Sequence, residues 1–172
     1  MNDLEAAIRS GTAADAEAAA ALVHRADLAR RGPSPADAEI RGRSARRLAV
    51  PSTFFRVAEA PGQREPIGVA AGMPGRVGGG VGDPIPGLCH ISMVAVEPGH
   101  WGRGLGRRVL TAVLADARRL GYGQAQLFTQ TGNERARVLY ESEGFVLTGQ
   151  TAVDEVGDEI LLYLLDLRRA PA

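Results

Sequence analysis

Hydrophobic positions along this chain recur with two periods. Between Gly104 and Leu120, Leu105, Val109, Val113, Ala117 and Leu120 fall on one stripe, widened by Leu110 and Leu114. Arg107, Arg108, Thr111, Asp116, Arg118 and Arg119 take the opposite side. This is the pattern of an amphipathic helix, ended by Gly121. The alanine-rich run from Thr12 to Gly32 is a second helix. Thr12 and Asp15 form a capping-box start, Arg30 and Arg31 lie in the last turn, and Gly32–Pro33 close it. Further helices are expected from Pro35 to Arg47 and over 133–143, the latter opened by a Thr131–Glu134 capping pair and closed by Gly144. Runs of β-formers place strands at 4–10, 52–60, 65–72, 88–96, 124–130, 145–150 and 159–167. Residues 73–87, dominated by Gly and Pro, read as a mobile loop that is neither helix nor central strand.

The element order predicts an α/β (α+β) fold with a mixed, mostly antiparallel central sheet flanked by helices on both faces. The two strand–helix–strand connections in the second half ask for parallel pairing, and the hairpins for antiparallel pairing. With 172 residues and no internal repeat, one domain spanning 1–172 is expected.

Composition adds exclusions. Twenty basic residues balance twenty acidic ones, so no net charge favours nucleic acid or membrane as a partner. All the basic residues are arginine. Coding bias in an Ala-, Gly- and Arg-rich chain accounts for this; protection from self-modification at lysine would fit only an enzyme that modifies amines. A single cysteine, Cys89, excludes an intrachain disulfide. The start, "MNDLEAAIRS", has neither the basic nor the apolar part of a signal peptide, and no apolar run is long enough to span a bilayer. A cytoplasmic protein is expected, with no metal site.

The candidate chemistry begins at "HWGRGLGRRVL", His100 to Leu110, where Gly102, Gly104 and Gly106 alternate just before a helix. The first amides of a helix lack intrahelical partners and its N-terminus is positive, so a backbone without Cβ atoms suits an anion such as a phosphate or pyrophosphate. A Walker A loop is excluded, because Gly106 is followed by Arg107–Arg108 rather than Lys and a hydroxyl. A G-x-G-x-x-G fingerprint is excluded by the early third glycine. A turn with no ligand is the alternative for the glycines alone.

They do not stand alone. Val96-Glu97-Pro98 followed by Trp101-Gly102-Arg103-Gly104-Leu105-Gly106 resembles the acyl-CoA signature of the GNAT superfamily of N-acetyltransferases. "NERARVLYESEGF" resembles the same superfamily's N-x-x-A-x-x-x-Y-x-x-x-G-F block, in the right order and spacing. The resemblance covers about residues 88–150 and implies the acyl-CoA N-acyltransferase fold with acetyl-CoA as cofactor. It implies that Trp101, Gly102, Arg103, Gly104, Leu105, Gly106 and Arg107 cradle the phosphates. It also implies that Val94, Ala95 and Val96 pair with the pantetheine arm. Trp101 stands where Arg or Gln is usual, a departure that leaves the cradle to backbone amides and puts the indole at the rim.

Asn133 and Tyr140 are seven residues apart, two helical turns, and share a face with the small Ala136 about 10 Å apart along the axis. The resemblance implies that Asn133 bonds the cofactor and that Tyr140 protonates the departing thiolate as general acid. It also places an oxyanion-binding N–H near Val94. For the general base, the strand offers His90 and Ser92, which share a face with Val94. His90 has a suitable intrinsic pKa, although a structural histidine is the alternative. Cys89 as an acyl-carrying nucleophile has no base in view beyond His90.

The acceptor is less marked. Relatives that acetylate ribosomal-protein N-termini keep an acid where this chain has Phe128, which argues against that subgroup. Asp154, Glu155, Asp158 and Glu159 cluster in the last loop and read either as a cation-holding site or as a solvated turn. Arg41, Arg43, Arg46 and Arg47 on the second helix point to the opposite charge. The expected function is acetyl transfer to a primary amine of a small molecule or peptide by direct attack. A non-catalytic acyl-CoA sensor and a transferase of longer acyl groups are the alternatives, and a homodimer stays open.

Overall fold

The structure, a computed structural model, describes residues 5–169. Leu4, within the first expected strand, lies outside them. The elements are β1 (Ala7–Ser10), α1 (Ala16–Arg31), α2 (Asp37–Ala49), β2 (Phe54–Glu59), β3 (Pro66–Arg76), β4 (Pro84–Val96), α3 (Leu105–Arg119), β5 (Gln124–Gln130), α4 (Glu134–Ser142), β6 (Val146–Val153) and β7 (Glu159–Asp166). They build a mixed seven-stranded sheet of order β1-β2-β3-β4-β5-β7-β6, flanked by helices. Among the described residues no helix is long and apolar enough to cross a membrane. Contacts group the chain into two compact units: the chain up to Gly72 with Met93–Val113, and Met73–Ser92 with Leu114 onward. Strands β3 and β4 and helix α3 each run from one unit into the other.

In the first unit β1, β2 and β3 pair antiparallel. Phe55, Val57, Val69, Ala71 and Ala95 point to one face, where they meet Ala16, Ala19, Leu22 and Leu48 of α1 and α2. Small residues on α1 let its axis come close to the sheet, and burial of this apolar surface is the main driving force. Gly68 takes the other face, where an added Cβ would lie 3.3 Å from Ala58 and 3.4 Å from Val109 of α3. The capping box at Thr12 forms as expected, with the Thr12 N–H donating to Asp15 Oδ2 at 2.8 Å. The first turn is 3-10, and the α-helix proper begins at Ala16. Arg9 bonds both Asp15 and Glu59, tying β1, the helix start and β2 together. Its guanidinium holds the Asp15 carboxyl well below the usual carboxylate range. Arg31 bonds Asp37 and closes the corner between α1 and α2.

In the second unit β4 pairs parallel with β5, and β7 pairs antiparallel with both β5 and β6. The first crossover is therefore parallel, as expected. The second is not a direct pair, because β7 returns between β5 and β6 and takes their inner edges. Helix α3 buries Leu105, Val109, Leu110, Val113, Leu114 and Ala117, but Leu120 is 58% exposed. The helix ends at Arg119 and Gly121 turns the chain with φ +90°, so Leu120 leaves the stripe. Asp116, expected on the wet side, is buried and bonded by Arg119.

The expected loop 73–87 is mostly strand. β3 runs on to Arg76 and β4 begins at Pro84, leaving a turn at 77–83 held by Val77 N–H to Asp83 O and Gly82 N–H to Val77 O. Pro84 and Pro86 fit a strand here because the β4–β5 ladder starts only at Leu88. A proline at an unpaired edge omits no ladder bond. The last loop contracts likewise to 154–158.

Gly11 lies under the Phe55 ring, and its N–H donates to the Phe55 carbonyl at 2.8 Å. A Cβ there would sit 1.9 Å from Phe55 Cε2. Gly11→Ala is expected to destabilise the fold by about 1–3 kcal/mol through overpacking, read as a lower urea midpoint at unchanged slope. An unaltered midpoint would mean that the ring yields freely.

Candidate active site

β4 ends at Val96, a 3-10 turn covers Pro98–His100, and α3 starts at Leu105. Gly102 and Gly104 adopt φ of +77° and +82°, a region that favours glycine. A Cβ on either would meet no atom within 4 Å, so the backbone is open to an approaching group on that side. The Gly104 carbonyl accepts the Arg108 N–H at 3.2 Å and closes the first turn of α3. The first-turn amides therefore point out of the helix with its positive end. Leu105 sends its side chain into the core and offers only its N–H. Gly106 lies in the first turn, and Arg103 and Arg107 are exposed on either side of Gly104 and Gly106. Arg108 instead turns to β1, donating to the Ala6 carbonyl at 2.8 Å.

The Val96–Glu97 peptide anchors this turn. Its N–H donates to the Ile67 carbonyl of β3 at 2.9 Å, and its carbonyl accepts the Trp101 indole N–H at 2.7 Å. Trp101 thereby braces the turn, its N–H taking one of the two lone pairs of the Val96 carbonyl that was expected to pair with pantetheine. A trans peptide sets its N–H and C=O on opposite sides, so the Val96 carbonyl points away from β3. The pleat then turns the Ala95 N–H and C=O toward β3, and those of Val94 away from it. Ala95 contributes its side chain to the core, and by the same alternation the N–H groups of Val94 and Val96 both face away from β3. Glu97 also accepts Arg25 Nε and Nη2 at 2.9 and 2.8 Å. Arg25, Glu97, Ile67 and His100 line an open groove of about 320 Å³. His100 is half-buried there; no sequence signal linked Arg25 to Glu97.

In the second unit the parallel β4–β5 ladder pairs Leu88–His90 with Gln124–Gln126. Among the described residues Ile91 and Ser92 are not in that ladder, although β5 continues to Gln130 against β7. The registers sort side chains by face. Cys89, Ala125 and Leu165 align on one face, which Leu127 and Tyr163 share. His90, Gln126 and Leu164 align on the other, with Phe128, whose ring centroid lies 6.1 Å from that of His90. Tyr140 of α4 packs against Tyr163 at 6.5 Å and edge-on to Phe145 at 6.0 Å. Tyr140 and His90 therefore occupy opposite faces of this part of the sheet. Tyr163 Oη accepts Arg137 Nε and donates to Glu141, which fixes the ring that Tyr140 leans on. The face shared by His90 and Ser92 does not carry simply into Val94: Ser92, Met93 and Val94 are three half-buried residues in succession, and Met93 packs with the α1–α2 core.

Asn133 caps α4, its Oδ1 accepting the Ala136 N–H at 3.4 Å. The expected Thr131 cap is not formed; the Thr131 hydroxyl bonds Glu159 instead. Because an amide side chain accepts through oxygen and donates through nitrogen, capping leaves the Asn133 NH₂ for another partner. Asn133, Ala136 and Tyr140 follow one stripe of the helix. In the last loop Asp154 accepts Gln130 Nε2 and the N–H groups of Val156 and Asp158. Asp154 shapes the turn, which is the second of the two readings of that acidic cluster.

Comparison with known proteins identifies the family and the fold. The profile of the Acetyltransferase (GNAT) family matches residues 21–145. The chain is similar to N-acetyltransferase 8 of Mus musculus, 34% identical over 122 residues that cover 70% of this chain and 48% of that protein. It is 42% identical to mycothiol acetyltransferase of Beutenbergia cavernae over 55 residues, 32% of this chain and 18% of that one. The match thus spans less than half the length of these curated relatives. Among solved structures, a Salmonella typhimurium protein with its cofactor acetyl-CoA superposes with TM-score 0.70 at 22% identity, covering 97% of this chain and 96% of that one. At that identity the likeness is one of fold.

Cys89 is fully buried, and burial pushes its thiol up to about 12. At pH 8 only about one molecule in ten thousand would carry the nucleophilic thiolate. Ellman's reagent at pH 8 is expected to leave the native chain unmodified and to titrate one thiol after unfolding. Rapid reaction of the native chain would restore Cys89 as a candidate acyl carrier.

Proposed function

Because the chain belongs to the Acetyltransferase (GNAT) family, we propose that it transfers an acetyl group from acetyl-CoA to a primary amine of a small molecule or peptide, by direct attack. The reading takes residues 1–172 as one catalytic domain. The observation that carries it is the glycine turn: two left-handed glycines with open space where a Cβ would stand, running into the N-terminus of α3. That cradle fits a pyrophosphate, whose charge meets outward amides and a positive helix end. Gly102, Gly104, Leu105 and Gly106 would hold it through backbone N–H groups, with Arg103 and Arg107 supplying charge at the edge.

Bound there, acetyl-CoA supplies an acyl carbon whose bond to sulfur breaks as the bond to the amine nitrogen forms. The outward Val94 N–H donates to the acyl oxygen as that atom gains charge. The Asn133 NH₂ donates to the pantetheine arm, and the edge of β4 beyond His90 offers it backbone partners, as a sheet edge does for an added strand. Tyr140 gives a proton to the sulfur, and His90 takes one from the amine. Acid and base on opposite faces suit this division: the amine arrives from one side of the sheet and the thiol departs on the other.

Calorimetric titration with acetyl-CoA, CoA and ATP, followed by a thiol-release screen over primary amines, tests the reading. Acetyl-CoA and CoA are expected to bind, ATP not, with release on one class of amine. Gly104→Glu should abolish binding by placing a carboxylate where the pyrophosphate sits. Tyr140→Phe should slow turnover about 100-fold at unchanged acetyl-CoA affinity, the scale of one general acid. An unaltered rate would remove Tyr140 from the mechanism. Binding without release on any amine would make the chain a sensor.

A further inference from the structure

Ser92 follows His90 by two residues on β4, so both side chains stand on the face opposite Tyr140, about 7 Å apart along the strand. Its Oγ is shut off from solvent and has no hydrogen-bond partner among the described residues. A buried hydroxyl without a partner is costly, and such atoms are scarce in folded chains. Ser92 also lies just beyond the last rung of the β4–β5 ladder, where the strand is not paired with β5. A polar atom is thus held, dry and unsatisfied, one side-chain step from the proposed base and beside the open part of the sheet.

We infer that Ser92 Oγ is the amine-positioning group, and that it makes the enzyme selective for primary over secondary amines. This rests on the acetyl-transfer reading and on His90 as base. A neutral primary amine carries a lone pair and two N–H bonds. The lone pair forms the new bond to carbon, one N–H proton passes to His90, and the other N–H donates to Ser92 Oγ. With two of its substituents so held, the nitrogen's lone pair has one direction left. A secondary amine has a single N–H, which must go to the base. It leaves Ser92 unsatisfied and sets a carbon substituent against it. A site built to bond a polar hydrogen rejects the analogue that lacks it, because its own buried group is then unpaired.

The test measures kcat/KM for benzylamine and N-methylbenzylamine, beside the fastest amine of the screen and its N-methyl derivative, in the wild-type chain, Ser92→Ala and Ser92→Thr. The wild type is expected to favour the primary amine. Ser92→Ala should lose about tenfold on primary amines, the worth of one hydrogen bond, and little on the N-methyl derivatives, so that the preference collapses. Ser92→Thr keeps the hydroxyl and should restore the preference. Acetyl-CoA affinity should be the same in all three. An equal loss on both amines, or no loss, overturns the role of Ser92 while leaving acetyl transfer intact. No release by the wild type with any amine overturns acetyl transfer, and the role of Ser92 with it.

Discussion

The Val96–Glu97 peptide holds this structure's chemistry in place. One plane of atoms is bonded at both ends, its N–H to Ile67 and its carbonyl to Trp101. The first bond pins the end of β4 to β3; the second folds the following turn back onto the strand. Between them they set where Gly102 and Gly104 open and where α3 begins. They also decide which residues of β4 face outward, because the pleat alternates from a pinned peptide. Trp101 does by a ring N–H what a side chain at the cradle could not do as a donor to ligand: it keeps the glycine-rich backbone, which has the most conformational freedom to lose, in one arrangement. The Arg25–Glu97 pair adds a tie from α1 to the same point, at half-exposed side chains where such a pair contributes little by itself.

The second unit rests on a different constraint, the parity of strands. Register with β5 and β7 puts His90 and Phe128 on one face and Tyr163 on the other, and Tyr140 follows Tyr163. The proposed proton donor and acceptor thereby stand on opposite faces of this part of the sheet. The proposal needs an interruption in the ladder for reactants on the two faces to meet, and among the described residues the β4–β5 pairing stops at His90. Cys89, on the Tyr163 face, is fully buried, and that burial raises its thiol pKa and keeps the thiolate scarce.

The local features were legible in the sequence because they depend on neighbours along the chain. The glycines before α3, the capping box at Thr12, the stripe of α3 and the shared face of Asn133, Ala136 and Tyr140 all follow from spacing. What failed depended on partners far away. Residues 73–87 carry loop composition, yet become strand because their partners are each other and β5 is absent at Pro84 and Pro86. β5 and β6 looked like a parallel pair until β7 took the place between them. Ala95 and Val94 are adjacent in sequence, and only the bond from Glu97 to Ile67 tells which one turns its amide outward. Thr131 and Asn133 are both good caps; Glu159, twenty-eight residues on from Thr131, takes that hydroxyl and leaves the cap to Asn133.

The same limit applies to the acceptor. Charge clusters invite assignment to a substrate, but Asp154 spends its oxygens on its own turn and on Gln130. In the proposed reaction the acceptor meets His90, Ser92, Gln126 and Phe128, which share a face by register and strand parity. On that proposal the face recognises an amine by the number and direction of its hydrogens rather than by its charge. It also requires the amine to arrive neutral, since an ammonium has no lone pair to present. An imidazole is suited to that step, because its intrinsic pKa lies where a proton can be both taken and released near neutrality.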